Sequence, residues 1–194
     1  MSKGDRTKAQ LVDAAIVLFY EHGVQWVSFQ QVATRVGITQ AALYKHFQDK
    51  DDLLHACAVV CAESGRDIID QFISTAKSPA EKIRSYIRGC FEWQRQHPKE
   101  AVVILSLTYF GFNSRPLQAL LLRINDQRTT RLADFIREGR RDGAFVATRV
   151  EKKARVLQSL LFGELIKALH QPKEMTTDQR AQLVWAGFVK NLEA

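Results

Sequence analysis

Residues 28–53 carry two short helical patterns separated by a glycine, and this arrangement constrains the fold more than any other stretch of the sequence. Apolar residues of the first pattern recur at helical spacing: Phe29, Val32, Ala33 and Val36. Gly37 stands where a helix must stop, and Thr39 can cap the next helix because its hydroxyl accepts a free N–H of the first turn. The second pattern turns three apolar residues inward: Ala42, Leu43 and Phe47. Two helices joined by so tight a turn predict a helix-turn-helix motif.

The second helix of such a motif lies in the major groove of DNA, with its N-terminal residues at the base edges. In this chain those residues are Thr39, Gln40 and Ala41. A glutamine can pair bidentately with adenine, and a small apolar group suits the methyl group of thymine. Tyr44 and Lys45 follow one turn later, where we expect them to meet phosphates.

The run from Val32 to Leu53 resembles the signature of the TetR family of one-component transcriptional regulators. The resemblance is carried by residues at fixed spacing: Val32, Ala33, Gly37, Ile38, Thr39, Leu43, Tyr44, His46, Phe47, Lys50 and Leu53. It covers about the first quarter of the chain. Ala41 stands where the family often has glycine. We interpret this departure as a change in base contact, because a methyl group is small.

The resemblance implies an all-α protein of about nine helices. Its implied parts are a helix-turn-helix domain over 1–50, a connecting helix four over 51–75, and a ligand-binding and dimerisation domain over 76–194. Base contacts fall to Gln40 and Ala41 by this resemblance, and backbone contacts fall to a second set: Ser28, Thr39, Tyr44, His46 and Lys50. Ser28 is also the predicted cap of the first helix, whose N-terminal N–H groups can bind phosphate. Packing against helices one and four is the alternative role of Tyr44 and His46.

The resemblance also implies the partners and the mode of action. We expect a homodimer that reads an inverted-repeat operator in double-stranded DNA, with the last two helices of both subunits in a four-helix bundle. Gly163, Trp185, Gly187 and Phe188 suggest close helix packing in that region. A small-molecule effector would release a repressor from the operator, although the same residues are compatible with activation.

Net charge by itself does not identify the partner. The formal charge of +7 and the pI near 9.5 suit a polyanion. Residues 1–50 nevertheless hold six Lys/Arg and four Asp/Glu, whereas residues 101–150 hold eight Arg and four Asp/Glu. The DNA hypothesis therefore depends on the motif, and the dispersed charge leaves a sequence-tolerant DNA-binding or architectural protein as an alternative.

Cysteine usage and hydropathy indicate a cytoplasmic protein without a membrane segment. Three cysteines without framework spacing argue against a secreted disulfide protein. No charged-then-apolar leader is apparent, and the most apolar window, 101–110, is too short to span a bilayer.

Helical periodicity continues along the whole chain. We expect a loose arm over 1–5, helix one over 6–22, helix four from about 48, and helix five after a capping box at Ser78, Pro79 and Glu81. The apolar run 99–112 suits a buried strand or a buried helix, and we choose helix because no second strand pattern exists. The remaining helices are predicted over 115–142, about 149–170 and about 177–192.

Aromatic and polar residues crowd the central helices and predict a small-molecule site. Such sites are mostly apolar, with a few polar groups that fix orientation, and the family places its inducer cavity in these helices. The predicted ligand-binding residues are Tyr86, Cys90, Phe91, Trp93, Gln94, His97, Tyr109, Phe110, Phe112 and Asn113. Plain core packing is the alternative for each of them.

His55, Cys57 and Cys61 could bind a soft metal or sense oxidants. Residues 55 and 57 point in different directions on a helix, however, and free cysteine is usually buried. We therefore expect core packing here, no metal and no cofactor. Enzyme motifs are absent, so we expect no catalytic residues. A small helical enzyme or carrier that uses the aromatic region remains a further alternative.

Overall fold

The computed structural model describes residues 2–146, 148–190 and 192. In these ranges the chain forms nine α-helices and no strand, so the predicted all-α class is confirmed. The helices are α1 (Lys3–His22), α2 (Phe29–Val36), α3 (Gln40–Leu43), α4 (Lys50–Ile73), α5 (Pro79–Gln96), α6 (Pro98–Phe110), α7 (Arg115–Arg141), α8 (Val150–His170) and α9 (Thr177–Val189). Two short 3-10 helices lie at Val24–Trp26 and Gly111–Asn113.

The chain divides into two compact units. Unit 1 comprises Met1–Glu63 and His97–Leu122, and unit 2 comprises Ser64–Gln96 and Arg123–Ala194. The functional division expected from the sequence, with a DNA-binding domain over 1–50 and a ligand-binding domain over 76–194, stays a prediction.

Helix α1 begins at Lys3, three residues before the predicted start at residue 6. The cause is a capping box: the Ser2 hydroxyl accepts the N–H of Asp5 at 3.1 Å, and the Asp5 carboxylate accepts the N–H of Ser2 at 2.9 Å. The N–H of Ser2, followed by its hydroxyl, lowers the pKa of the Asp5 carboxyl. The prediction of a loose arm is therefore wrong for residues 3–5, and residue 1 lies outside the described residues.

Helix α1 supports the helix-turn-helix in unit 1. It packs against α2 and α6, and its inward face includes Leu11 and Ala15, both fully buried. Phe47, which follows α3, is also buried, and the Lys8 ammonium of α1 lies 5.2 Å from the centre of its ring. Burial of this apolar surface fixes the orientation of the two short helices, which bury too little surface to fold alone.

The apolar run 99–112 is helical, as predicted. It forms α6 and the 3-10 helix at Gly111–Asn113. Ser114 then starts α7: its hydroxyl accepts the N–H of Leu117 at 3.4 Å and donates to the Asp51 carboxylate at 2.7 Å. This contact joins the beginning of α7 to the first turn of α4 within unit 1.

The core of unit 2 is built from α5, α8 and α9, with α5 packed against both other helices. The cap of α5 differs slightly from the expected capping box. The Ser78 hydroxyl accepts the N–H of Glu81 at 3.2 Å as predicted, but the Glu81 carboxylate accepts the N–H of Lys77 at 2.7 Å. Both hydrogen bonds stabilise the same helix end.

A buried ion pair joins α8 to α9. The Arg180 guanidinium donates to the Glu164 carboxylate at 2.6 Å and to the carbonyl of Gln171 at 2.6 Å. The side chains of Arg180 and Glu164 are 3% and 10% exposed. Helix α9 begins at Thr177, as the sequence predicts, and ends at Val189. The predicted end was about residue 192, and Asn191 lies outside the described residues.

Candidate nucleic-acid interface

Local hydrogen bonds define the start of α2 and the turn that follows it. The Ser28 hydroxyl accepts the N–H of Gln31 at 3.3 Å, and the Gln31 side chain accepts the N–H of Ser28 at 2.7 Å. At the other end, Gly37 adopts φ 76° and ψ 28°, a left-handed conformation that costs glycine little. The N–H of Ile38 then bonds the carbonyl of Ala33 at 3.0 Å, which closes the helix end.

Helix α3 is a single turn that presents its polar side to solvent. The Thr39 hydroxyl accepts the N–H of Ala42 at 3.1 Å, so the predicted cap is present. Leu43 is fully buried and anchors the turn from inside. Of the predicted DNA-contacting residues in this segment, Thr39, Ala41, Tyr44 and Lys45 are exposed, whereas Gln40 and His46 are half-buried. The outer face of α3 is therefore free to meet a ligand in this unit.

Tyr44 packs against another aromatic ring and is still about half exposed to solvent. Its ring lies 5.1 Å from that of Phe29, at an interplanar angle of 55°, and its side chain remains 52% exposed. The contact joins the end of α3 to the start of α2, because Phe29 is the first residue of that helix. The sequence did not predict this packing on α2, and about half of the Tyr44 surface remains exposed to solvent.

Lys50 is a cation in an unfavourable position. It is the first residue of α4, where the helix dipole disfavours positive charge, and partial burial lowers the pKa of its ammonium group. In the described part of the chain no carboxylate lies within ion-pair distance of it. Asp49 instead caps the helix by accepting the N–H of Asp52 at 2.9 Å. A bound anion at this point would offset the cost of desolvating Lys50.

The predicted ligand-binding residues are distributed over both units. Those on α5 belong to unit 2 and are buried: Tyr86, Cys90, Phe91, Trp93 and Gln94. The others belong to unit 1, where Tyr109, Phe112 and Asn113 are exposed and His97 and Phe110 are half-buried.

Polar groups of α5 are largely paired within unit 2. The Trp93 indole N–H donates to the Ser64 hydroxyl at 3.1 Å, and the Gln94 amide donates to the carbonyl of Leu165 at 2.8 Å. Burial raises the pKa of the Cys90 thiol to about 12 and raises the pKa of Tyr86 as well. Arg128 and Arg131 act on both groups in the opposite direction.

Sequence reasoning missed Gln158 on α8. Its side-chain oxygen is buried and has no hydrogen-bond partner among the described residues. The sequence does contain a signal for it. Gln158 follows Leu157 and lies within one helical turn of Ala154 and Leu161, and these three neighbours are all buried. A buried acceptor without a partner costs free energy, which a donor on a bound molecule can recover.

The cysteines on α4 are part of the core of unit 1. Cys57 and Cys61 are both fully buried, and the Cys57 thiol lies 4.0 Å from the carbonyl of Val12. Burial raises the pKa of Cys61 to about 12 and raises that of Cys57 well above its usual range. Over the residues that the structure describes, no group of three His, Cys, Asp or Glu side chains is arranged to hold a metal ion.

Helices α8 and α9 carry an exposed apolar face. It consists of Val156, Leu160 and Leu183, with Gly163 and Gly187 as its small residues. A β-carbon added at either glycine would have no neighbour within 4 Å. None of the described helices is both long and apolar enough to cross a membrane.

Comparison with known proteins identifies the same segment that the sequence singled out. Residues 11–57 match the model of bacterial regulatory proteins of the tetR family. The chain is also 26% identical over 143 residues to the HTH-type transcriptional repressor KstR2 of Mycolicibacterium smegmatis, which corresponds to 70% of this chain. The chain spans 66% of the length of that repressor. Two further relatives, the regulator AcrR of Shigella flexneri and the Transposon Tn10 TetC protein of Escherichia coli, align at 37% and 41% identity over 24% and 26% of their own length.

Solved structures share the fold over nearly the whole chain. The TetR family transcriptional regulator PfmR of Thermus thermophilus superimposes with a TM-score of 0.75 at 20% identity, covering 95% of this chain and 100% of PfmR. A tetR-family regulatory protein of Rhodococcus RHA1 superimposes with a TM-score of 0.79 at 19% identity, covering 100% of this chain and 99% of that protein. The match to the family model over residues 11–57, the capped helix pair at 28–47 and this shared fold together support a TetR-family regulator.

Proposed function

We propose that this protein is a cytoplasmic transcriptional repressor that binds an inverted-repeat operator as a homodimer and leaves it when a small, largely apolar ligand binds. The observation that carries the proposal is the outward face of α3. Thr39 and Ala41 are exposed there beside a buried anchor, Leu43. A single capped turn with this division of faces is suited to enter the major groove.

Two residues of α3 read bases in this proposal. Gln40 pairs with adenine and Ala41 contacts a thymine methyl group. Ser28, Thr39 and Lys45 contact phosphates, because all three are exposed around the same short helix pair. The remaining backbone contacts come from Tyr44, His46 and Lys50. Lys50 gains most from a phosphate, since its ammonium group is partly buried and has no carboxylate partner among the described residues.

Gel retardation with genomic fragments tests the reading of bases. We expect sequence-dependent retardation at moderate salt, and we expect Gln40→Ala to lose about 1–3 kcal/mol of discrimination at one base pair of each half-site. Gln71→Ala, which changes an exposed glutamine of α4 in unit 2, is the matched control and should leave selectivity unchanged. If no fragment is preferred over unrelated DNA by the native protein, the repressor proposal is wrong.

Dispersed positive charge favours a second candidate, a DNA-binding protein that tolerates many sequences. The same titrations distinguish the two, because a specific regulator binds its operator about 10³–10⁷ times more tightly than other DNA. A ratio near one, with affinity that falls steeply as salt rises, supports the second candidate.

The apolar face of α8 and α9 supports the homodimer. A second copy of the same face would cover Leu160 and Leu183, and the open space at Gly163 and Gly187 would let helix backbones approach closely. An interface of this kind relates two copies by a two-fold axis, which matches an inverted-repeat operator.

Buried residues of unit 2 support the effector site. Tyr86, Cys90 and Phe91 supply buried apolar and aromatic surface, and Gln158 supplies an unpaired acceptor for a donor group on the ligand. The other five predicted ligand-binding residues belong to unit 1, and for them the proposal rests on the sequence pattern alone: His97, Tyr109, Phe110, Phe112 and Asn113. Mass spectrometry of the purified protein under native conditions should reveal small molecules carried from the cell.

Coupling between ligand and operator is tested by titration. Adding the identified ligand should weaken operator affinity, by as much as the ligand's affinities for the free and the DNA-bound protein differ. Gln158→Leu should weaken ligand binding while operator affinity without ligand stays as in the native protein. Unchanged operator affinity at saturating ligand would rule out the coupling.

A further inference from the structure

Trp26 is an exposed tryptophan next to the proposed DNA-binding surface. The chain has three tryptophans. Trp93 and Trp185 are 7% and 6% exposed, and Trp26 is 74% exposed. The indole N–H of Trp26 has no hydrogen-bond partner among the described residues. An exposed indole offers a partner both a large apolar surface and a hydrogen-bond donor.

Burial alternates along the three residues from Trp26 to Ser28. Trp26 ends the 3-10 helix and is exposed, Val27 is extended and buried, and Ser28 is extended and exposed. Trp26 and Ser28 therefore both project outward from unit 1, on either side of the buried Val27.

Trp26 also lies close to the start of α2. Its α-carbon is at most about 7 Å from that of Ser28, the length of two extended residues. Phe29, the next residue after Ser28, carries the ring on which Tyr44 packs. Trp26 and Ser28 are thus exposed at the start of the helix that Tyr44 contacts, beside the segment that enters the groove in the proposed function.

We infer that Trp26 contacts the sugar–phosphate backbone of DNA beside each operator half-site, an inference that rests on the proposed function. The indole ring packs on a deoxyribose, and its N–H donates to a phosphate oxygen. Contacts of this kind hold the protein in register on the duplex and carry no base information. Trp26 therefore strengthens binding to all sequences and leaves the choice among them to Gln40 and Ala41.

The indole is neutral, so the salt dependence of binding distinguishes its contact with a phosphate from that of a lysine. A lysine that neutralises a phosphate releases counterions, so its loss changes the salt dependence of binding by about 0.9 in the log–log slope for each phosphate. An indole releases none. Trp26→Ala should therefore weaken binding about tenfold for two copies per operator, with the slope unchanged.

The first test uses tryptophan fluorescence of the whole protein with a duplex that the native protein retards. Acrylamide should quench one exposed tryptophan, and the duplex should protect it. Trp26→Phe should abolish the DNA-dependent change, because Trp93 and Trp185 are already buried in unit 2. Unchanged acrylamide quenching on DNA binding would overturn the inference.

The second test compares affinities over a range of salt concentrations. Trp26→Ala should give a line parallel to that of the native protein but displaced to weaker binding. Lys45→Ala, which removes an exposed cation of the same surface, should give a shallower line. Trp26→Phe should recover part of the loss, since it keeps the ring and lacks the donor. Circular dichroism on heating checks that each variant is folded.

The outcomes separate this inference from the proposed function. If the native protein retards DNA and Trp26→Ala binds as tightly, the inference is wrong and the proposed function stands. If DNA does not protect Trp26 from acrylamide but another macromolecule does, the inference is likewise wrong and the proposed function stands. If the native protein retards no duplex, the proposed function fails and the inference fails with it.

Discussion

Gly139 on α7 occupies a position that no larger residue fits. A β-carbon there would overlap the ring of Phe145, which is buried within unit 2. The carbonyl of Gly139 also accepts the N–H groups of Ala144 and Phe145, at 2.8 and 3.1 Å. The end of α7 and the residues after it are therefore folded back over this glycine.

Gly139→Ala should lower the free energy of unfolding by about 1–3 kcal/mol, because the Phe145 ring must move from a packed position. Gly4→Ala is the control: its added methyl would lie 3.6 Å from the Ser2 hydroxyl, an ordinary contact, and alanine favours the helix. Urea unfolding at a fixed protein concentration measures both. Equal stability of Gly139→Ala and the native protein would contradict the overlap.

Thiol chemistry is a second property set by single residues. Burial raises the pKa of Cys61 and Cys90 to about 12, and the thiolate is the reactive form. We expect all three thiols of the native protein to resist a thiol reagent such as DTNB at pH 8 and to react together on addition of denaturant. Rapid modification of Cys57 or Cys61 in the folded protein would revive the redox hypothesis.

At the scale of secondary-structure elements, short helices depend on their caps. Helix α3 has four residues, so it lacks most of the internal hydrogen bonds that sustain longer helices. The Thr39 hydroxyl supplies one of the few bonds that fix its first turn. The orientation of Gln40 depends on that turn, which links a local hydrogen bond to the proposed base contact.

Thr39→Ala should destabilise the protein by about 0.5–2 kcal/mol without DNA present, since the first turn of α3 loses its cap. Thr39→Ser keeps the hydroxyl and should remain close to the native protein. Measuring unfolding in the absence of DNA separates capping from any phosphate contact of Thr39. Indistinguishable stabilities of the alanine and serine variants would show that the cap contributes nothing.

Helix α9 is held to α8 by the pair of Arg180 and Glu164. Arg180→Ala leaves the buried Glu164 carboxylate with only the exposed Lys167 ammonium, 4.0 Å away, so we expect a loss of about 3 kcal/mol. Replacing both residues with apolar ones of similar size, Arg180→Met with Glu164→Leu, should recover most of this loss. Thermal unfolding of the single and double variants measures the difference. If the double variant is no more stable than the single one, the unpaired charge is not the cause.

At the scale of the whole molecule, the proposed homodimer relates a surface of unit 2 to the affinity of unit 1 for DNA. Two helix-turn-helix motifs bind an inverted repeat together only while the subunits are joined. The exposed apolar face of α8 and α9 is the surface we assign to that junction.

Leu160→Glu combined with Leu183→Glu should produce monomers in light scattering after size-exclusion chromatography, because charges would be buried without partners at the interface. Leu122→Glu changes an exposed leucine of α7 in unit 1 and is the control. Operator affinity should fall with the first variant and persist with the control. If the variant with both glutamates remains a dimer, the subunit interface lies elsewhere on the protein.

Much of this fold was predictable because its helix ends are fixed by hydrogen bonds between residues that are close in the sequence. The serine and threonine caps at 28, 39 and 78 and the glycine at 37 act on residues at most five positions away, so their hydrogen bonds can be anticipated from sequence. The same logic was available for Ser2 and Asp5. It was missed because a short polar start resembles a tail until its two reciprocal hydrogen bonds are seen.

Sequence alone therefore determined the succession of helices and the helix-turn-helix, since periodicity and capping operate within a few residues. Only the tertiary structure decided which residues of an apolar run are covered: Tyr109 and Trp26 are exposed, while Tyr86 and Trp93 are buried. It alone paired Trp93 with Ser64 and left the Gln158 oxygen without a partner among the described residues. Burial depends on neighbours that are distant in the chain, and the spacing of one helix carries no information about them.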